Sequence, residues 1–216
     1  LQWILWISLL QGVISSYLGF GQISYVCDFL LIVLLIAKIF KEGSFKVKVG
    51  VNVVYFTIFL FAAVVIIGWM FNPAPISMAL WAIRNYGRFF LYFILCNTIL
   101  DSEDVDKMES VFLKTFPVHM VLVIYQYVVE HINQDLLNGI FGNRVGGNAG
   151  LMIYLSIIMC IVMARYEYKK ISLSKFILYL MLILVNAALS ELKFLFVVAF
   201  ILLAWYLLMS KRKGRG

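Results

Sequence analysis

Eight apolar stretches, separated by short segments that hold most of the charge, leave this chain few ways to fold. The runs cover residues 2–18, 23–39, 51–71, 82–100, 111–129, 150–164 and a long stretch 176–209 broken at Ser190-Glu191-Leu192-Lys193, which reads as two helices joined by a tight turn. A hydrocarbon layer about 30 Å thick takes a helix of roughly 20 residues to cross. Inside such a layer a backbone amide finds no water, so spanning segments bond their own amides as helices. The expected fold is therefore all-α, a polytopic transmembrane helix bundle of about eight spans forming a single domain over 1–216.

The basic residues orient these spans. Of the 18 Lys and Arg, Lys38, Lys41, Lys46 and Lys48 lie between spans two and three, and Lys107 and Lys114 between four and five. Arg165, Lys169, Lys170 and Lys175 lie between six and seven, and Lys211, Arg212, Lys213 and Arg215 at the end. With eight spans all four groups share one face, which the positive-inside bias makes cytoplasmic, with both termini. A miscount of one helix between them would separate neighbouring groups. The cytoplasmic segments are then 40–50, 101–110, 165–175 and 210–216, and the acidic run 101–109 reads as a solvated amphipathic loop. The outer segments are the Gly19 turn, 72–81, 130–149 and 190–193.

Composition narrows the function classes. The chain is 64% apolar and only 13% charged, so its net charge of +7, held in short inter-span segments, does not indicate nucleic acid as a partner. Cys27, Cys96 and Cys160 each lie inside an apolar run, which implies neither a disulfide framework nor a metal site. The three prolines read as span punctuation. His119 and His131 read as packed or hydrogen-bonded residues. The chain opens at Leu1 with no basic region or cleavage site typical of a removable signal peptide, and is expected to be part of a longer protein.

Four cations fall on the opposite face: Arg84, Arg88, Arg144 and Lys193. Arg84 and Arg88 are four apart and stack on one side of a helix, where they repel unless an anion or carboxylate lies between them. A guanidinium suits phosphate through paired, charge-assisted bonds; the alternative is that both reach toward lipid headgroups. Residues 141–150, Phe-Gly-Asn-Arg-Val-Gly-Gly-Asn-Ala-Gly, set Asn143, Arg144 and Asn148 among four glycines before span six. Free amides and a helix start make this a candidate anion or sugar-phosphate cradle, the alternative being a flexible connector. Glu191 and Lys193 fall in a turn expected to be buried between apolar helices, where ionisable groups are costly; they are read as functional or as a structural ion pair. Asp28 reads as an interface carboxylate facing water.

The order and sidedness of these motifs resemble the O-antigen polymerase and ligase family. Tyr25-Val26-Cys27-Asp28-Phe29-Leu30-Leu31 is similar to its early helix start, Arg84-Asn85-Tyr86-Gly87-Arg88 to the basic start of a middle helix, and Gly142 with Asn148 to its Gly-aromatic-Asn stretch. Ala188-Leu189-Ser190-Glu191-Leu192-Lys193 resembles its Ser-Arg turn, with Lys193 near the usual basic residue and without that residue's bidentate geometry. Family members usually have further helices and a large external loop after the region matched.

The resemblance implies a glycosyltransferase-type enzyme of the bacterial inner membrane, multi-pass and active at the outer face, that polymerises or ligates undecaprenyl-pyrophosphate-linked repeat units of surface polysaccharide. It implies metal-independent chemistry without a cofactor. Arg84, Arg88, Arg144, Lys193, Asn143 and Asn148 would hold the pyrophosphate, and Glu191 would act as catalytic base. The implied partners are membrane lipid, the lipid-linked glycan, a flippase and a chain-length regulator. A transporter or flippase of a lipid-linked or anionic solute is the competing class, although no internal repeat of the kind transporters show is visible.

Overall fold

The computed structural model of the chain describes residues 2–42, 52–72, 75–100, 102–143 and 147–213. Among these residues the fold is all-helical, without a strand. Its α-helices are α1 (Gln2–Tyr17), α2 (Ile23–Glu42), α3 (Asn52–Phe71), α4 (Ile76–Ile99), α5 (Ser102–Val128), α6 (Gly147–Glu167), α7 (Leu173–Leu189) and α8 (Lys193–Lys213). Two 3-10 turns, Gln134–Leu136 and Gly139–Phe141, stand between α5 and α6. Three segments are long and apolar enough to cross a membrane, Val54–Phe71, Glu103–Val128 and Gly147–Glu167. The chain is thus a membrane protein built as a helical bundle.

Helix limits depart from the sequence expectation where local chemistry extends a helix into a charged or polar stretch. The segment 72–81, expected as an outer loop, is mostly helix, because Pro75 precedes α4 with φ −50° and its carbonyl accepts the Met78 and Ala79 amides. Proline has no amide to leave unbonded at a helix start. Residues 102–110, expected as a cytoplasmic loop, form the first turns of α5, with Glu103 and Asp104 at the positive end of its dipole. Pro117 lies inside α5 and does not punctuate a span. The expected turn between α7 and α8 is present, with Glu191 at φ 51° and the Leu192 amide bonded back to the Ala187 carbonyl.

The chain divides into two compact units, Leu1–Ser24 with Asp106–Gly216, and Tyr25–Val105. In the first, α6 is the central element. Leu151, Leu155, Ile158, Met159 and Val162 are buried there among residues of α5, α7 and α8 such as Val111, Ile183 and Leu195. Helices α5 to α8 alternate in direction, and α1 runs the same way as α5. At one end Arg165 on α6 pairs with Glu109 on α5 at 3.2 Å, and Lys170 lies 3.6 Å from Asp106. The latter pair is well exposed and contributes little. At the other end the α1 and α5 termini meet, where the Tyr17 hydroxyl donates to Glu130 at 2.9 Å.

In the second unit α3 and α4 pack through edge-on ring pairs, Tyr55 with Phe93 and Phe61 with Phe90, and the Asn97 amide donates to the Tyr55 hydroxyl. Cys27, Leu31 and Leu95 are buried in this unit. Much of α3 exposes its large apolar side chains, Val64 and Ile66 among them, as a helix facing lipid does. Leu195→Ala should lower stability by about 2–5 kcal/mol, because it opens a cavity in the first unit's core. Val64→Ala should stay within about 0.5 kcal/mol. Thermal unfolding of both variants in detergent measures the contrast, and equal losses would contradict this assignment of core and surface.

Candidate functional site

Polar side chains are brought together in two places, one in each unit. In the second unit α2 carries Asp28 and α4 carries Arg84, and the Arg84 Nε donates to Asp28 Oδ2 at 2.7 Å. The Arg84 guanidinium also stacks over the Tyr25 ring, one turn before Asp28, at 4.0 Å from its centroid. Asp28 is therefore not a carboxylate facing water; its side chain is only 20% exposed. A carboxylate edge and a ring face fix the guanidinium plane, which a headgroup-seeking side chain lacks. Arg88 follows one turn further along α4, and its side chain lies outside those described.

The larger cluster lies in the first unit. Thr115, His119, Gln126, Asn138, Asn186 and Ser190 are all fully buried. Burying polar groups is costly unless each finds a partner. Three of the six, Gln126, His119 and Ser190, find partners in the backbone of the segment between α5 and α6. Gln126 grips Gly139 with both ends of its carboxamide: Oε1 accepts from the Gly139 amide at 2.8 Å, and Nε2 donates to the Gly139 carbonyl at 3.3 Å. The Ile140 amide donates to His119 Nδ1 at 3.3 Å, and the Ser190 hydroxyl donates to the Leu137 carbonyl at 2.7 Å.

The donor pattern sets the tautomer of the buried imidazole. Because Nδ1 accepts from Ile140, the ring proton sits on Nε2. Asn186 Nδ2 stands 2.7 Å from Nε2 and its Oδ1 3.5 Å from the Ser190 hydroxyl, so this tautomer requires the carboxamide turned end for end, with its oxygen toward the ring. Thr115 donates to the Phe112 carbonyl, so the bond of 2.8 Å between Thr115 and Tyr154 runs from the tyrosine hydroxyl. His119 packs edge-on against Tyr154 and stacks with Phe116.

Glycines let this segment approach its neighbours. A Cβ on Gly12 of α1 would overlap the Phe141 backbone, and one on Gly139 (φ 55°) would run into the His119 ring. Gly142 (φ 83°) abuts Ser16 and the Gly12 carbonyl, Gly147 abuts Asn138, and Gly150 abuts the Phe141 ring. The glycines of 141–150 were expected to open backbone to a ligand. Gly142, Gly147 and Gly150 instead admit neighbouring parts of the chain, and residues 139–142 are a packed element, not a flexible connector.

The other sequence-derived residues divide between the units. Arg144 lies outside the described residues. Asn143 is exposed at the end of the packed segment, and Asn148 is half-buried in the first turn of α6, its Oδ1 without a hydrogen-bond partner among the described residues. Glu191 and Lys193 are both exposed, contrary to the expected buried turn, and they form no ion pair among the described residues. Ser190 and Leu192 take the inward positions, since a hydroxyl and an isobutyl group are cheaper to bury than two charges. Sequence reading treated His119 as a packed residue, named Ser190 only as part of the 188–193 turn, and left Thr115, Gln126 and Asn186 unremarked. Their signal was polar residues at helical spacing inside apolar runs: 115 and 119, with 126 two turns on, and 186 with 190.

Comparison with protein-family models, with curated proteins and with solved structures returns no match. If the Arg84 and Asp28 pair acts as a unit, Asp28→Asn, Arg84→Ala and the double variant should lose similar stability, with a coupling of about 1 kcal/mol. A double-variant cycle of detergent unfolding measures it, and simple additivity would show the pair to be inert.

Proposed function

We propose that this chain takes part in glycosyl transfer from a polyprenyl-pyrophosphate-linked oligosaccharide, as a polymerase or ligase of surface polysaccharide in a bacterial plasma membrane. It would cross that membrane eight times, with both termini cytoplasmic. The observation that carries the reading is the contact between Asp28 and Arg84 at 2.7 Å. Two of the motifs behind the family resemblance, 25–31 and 84–88, lie far apart in sequence, and the pair joins them directly. A guanidinium held rigidly in advance of its ligand stabilises developing negative charge better than a freely moving one.

In this reading the donor's pyrophosphate is held by cations on the outer face. Arg84 and Arg88 are the candidates in the second unit; Arg144, with Asn143 and Asn148 near it in sequence, and Lys193 are the candidates in the first. The acceptor sugar hydroxyl attacks the anomeric carbon of the donor, the carbon–oxygen bond to pyrophosphate breaks, and the lipid pyrophosphate departs with the bonding pair. Glu191 takes the hydroxyl proton; its exposure in a turn beside Lys193 leaves it open to a substrate from outside the bundle.

Deletion of the gene, followed by measurement of surface-glycan length and lipid-linked intermediates, tests the reading. Single repeat units in place of polymer identify a polymerase, and full-length polymer left on its lipid carrier identifies a ligase. Unchanged glycans overturn the reading and leave transport of a lipid-linked or anionic solute. Arg84→Ala and Arg144→Ala should insert at normal levels and abolish polymer; normal polymer from both would remove the pyrophosphate role.

A further inference from the structure

A segment that sequence places outside the membrane is bonded along the length of a spanning helix. The apolar part of α5 begins after its acidic first turns and runs to Val128, about the length of a hydrocarbon layer, so Val128 sits near one boundary of that layer. The chain leaves α5 there and turns back. Gly139 lies against Val123, five residues or about 8 Å of helix axis inside Val128, between the grips of Gln126 above and His119 below. Phe141 lies against Gly12, five residues before the end of α1, and its ring meets Tyr154 of α6 at 5.5 Å. Leu137, Asn138, Gly139 and Ile140 are fully buried.

Non-helical backbone is tolerated at such depth only where protein supplies the bonds that lipid cannot. Here three side chains supply them to backbone groups between Leu137 and Ile140: Ser190 to the Leu137 carbonyl, Gln126 to both groups of Gly139, and His119 to the Ile140 amide. The need is mutual, since Gln126 inside a spanning helix would otherwise bury an unbonded carboxamide. We propose that residues 137–142 form the inner part of a re-entrant loop, seated within the membrane layer, and that Gln126 is the positioning residue that holds it there. Gln126 touches neither Asn143 nor Asn148, yet it sets where the loop delivers both to the start of α6. The Nε2 bond to Tyr17 at 3.2 Å ties the same carboxamide to α1.

This proposal rests on the membrane bundle and not on glycan transfer, so its test is independent of the deletion phenotype. Cys27, Cys96 and Cys160 are replaced by Ala, and single cysteines are introduced as Ile140→Cys, Asn143→Cys or Leu155→Cys. Each chain is labelled with a polar maleimide in unsealed membrane fragments, where both faces meet the reagent. Ile140→Cys should react at least about tenfold more slowly than Asn143→Cys, as a locally protected site does. Adding Gln126→Leu should remove that protection while Leu155→Cys, on the core face of α6, stays protected. Equal labelling at 140 and 143 without the Gln126 change overturns the re-entrant loop. Unchanged protection at 140 in Gln126→Leu, or exposure of 155 together with 140, overturns the positioning role.

Discussion

Backbone amides have no partner in hydrocarbon, and the architecture follows from that shortage. Among the described residues eight α-helices satisfy their amides internally along the apolar runs. The segment after α5 cannot do so, because its two short 3-10 turns leave carbonyls and amides over. Those groups are met by Gln126, His119 and Ser190, whose own burial is balanced by the same exchange. Close approach is what makes the exchange possible, and glycines at 12, 139 and 142 permit it by leaving room where a methyl group would stand.

Charge is handled differently in the two units. Arg84 and Asp28 face each other on neighbouring helices and share a partly screened environment, with Tyr25 covering the guanidinium face. Glu191 and Lys193 stay at the surface, and the turn that carries them puts Ser190 and Leu192 inward. Both outcomes follow from the cost of removing an ion from water, which a close partner offsets and which an outward rotamer avoids. The two charged places therefore rest on different interactions: a fixed ion pair at 28 and 84, and a hydroxyl-to-backbone bond beside exposed charges at 190–193.

Helix limits were legible to within a few residues where an apolar run ended in an unambiguous break, as at 71 and at 189. They were misjudged where charge and helix coexist. Residues 102–110 read as a loop because acidic residues are rare inside spans, yet acidic side chains at a helix start favour the helix. The glycines of 141–150 were noticed for the right reason, that backbone there approaches something closely, but what approaches is α1, Asn138 and the Phe141 ring. A one-dimensional pattern marks a glycine's freedom without naming its neighbour.

By itself the sequence determined the class of this protein, an all-helical membrane bundle, because the length and hydropathy of its runs answer to a solvent property that acts on each segment separately. It also marked Arg84, Arg88, Arg144 and Lys193 by their side of the expected topology. Which polar residues meet was decided only by the tertiary structure. The pairing of Asp28 with Arg84, and the grip of Gln126, His119 and Ser190 on residues 137–140, depend on helix rotation and on the path of a chain that turns back into the bundle. Rotation and path are set by side-chain packing summed over many distant neighbours, a quantity that no local stretch of sequence contains.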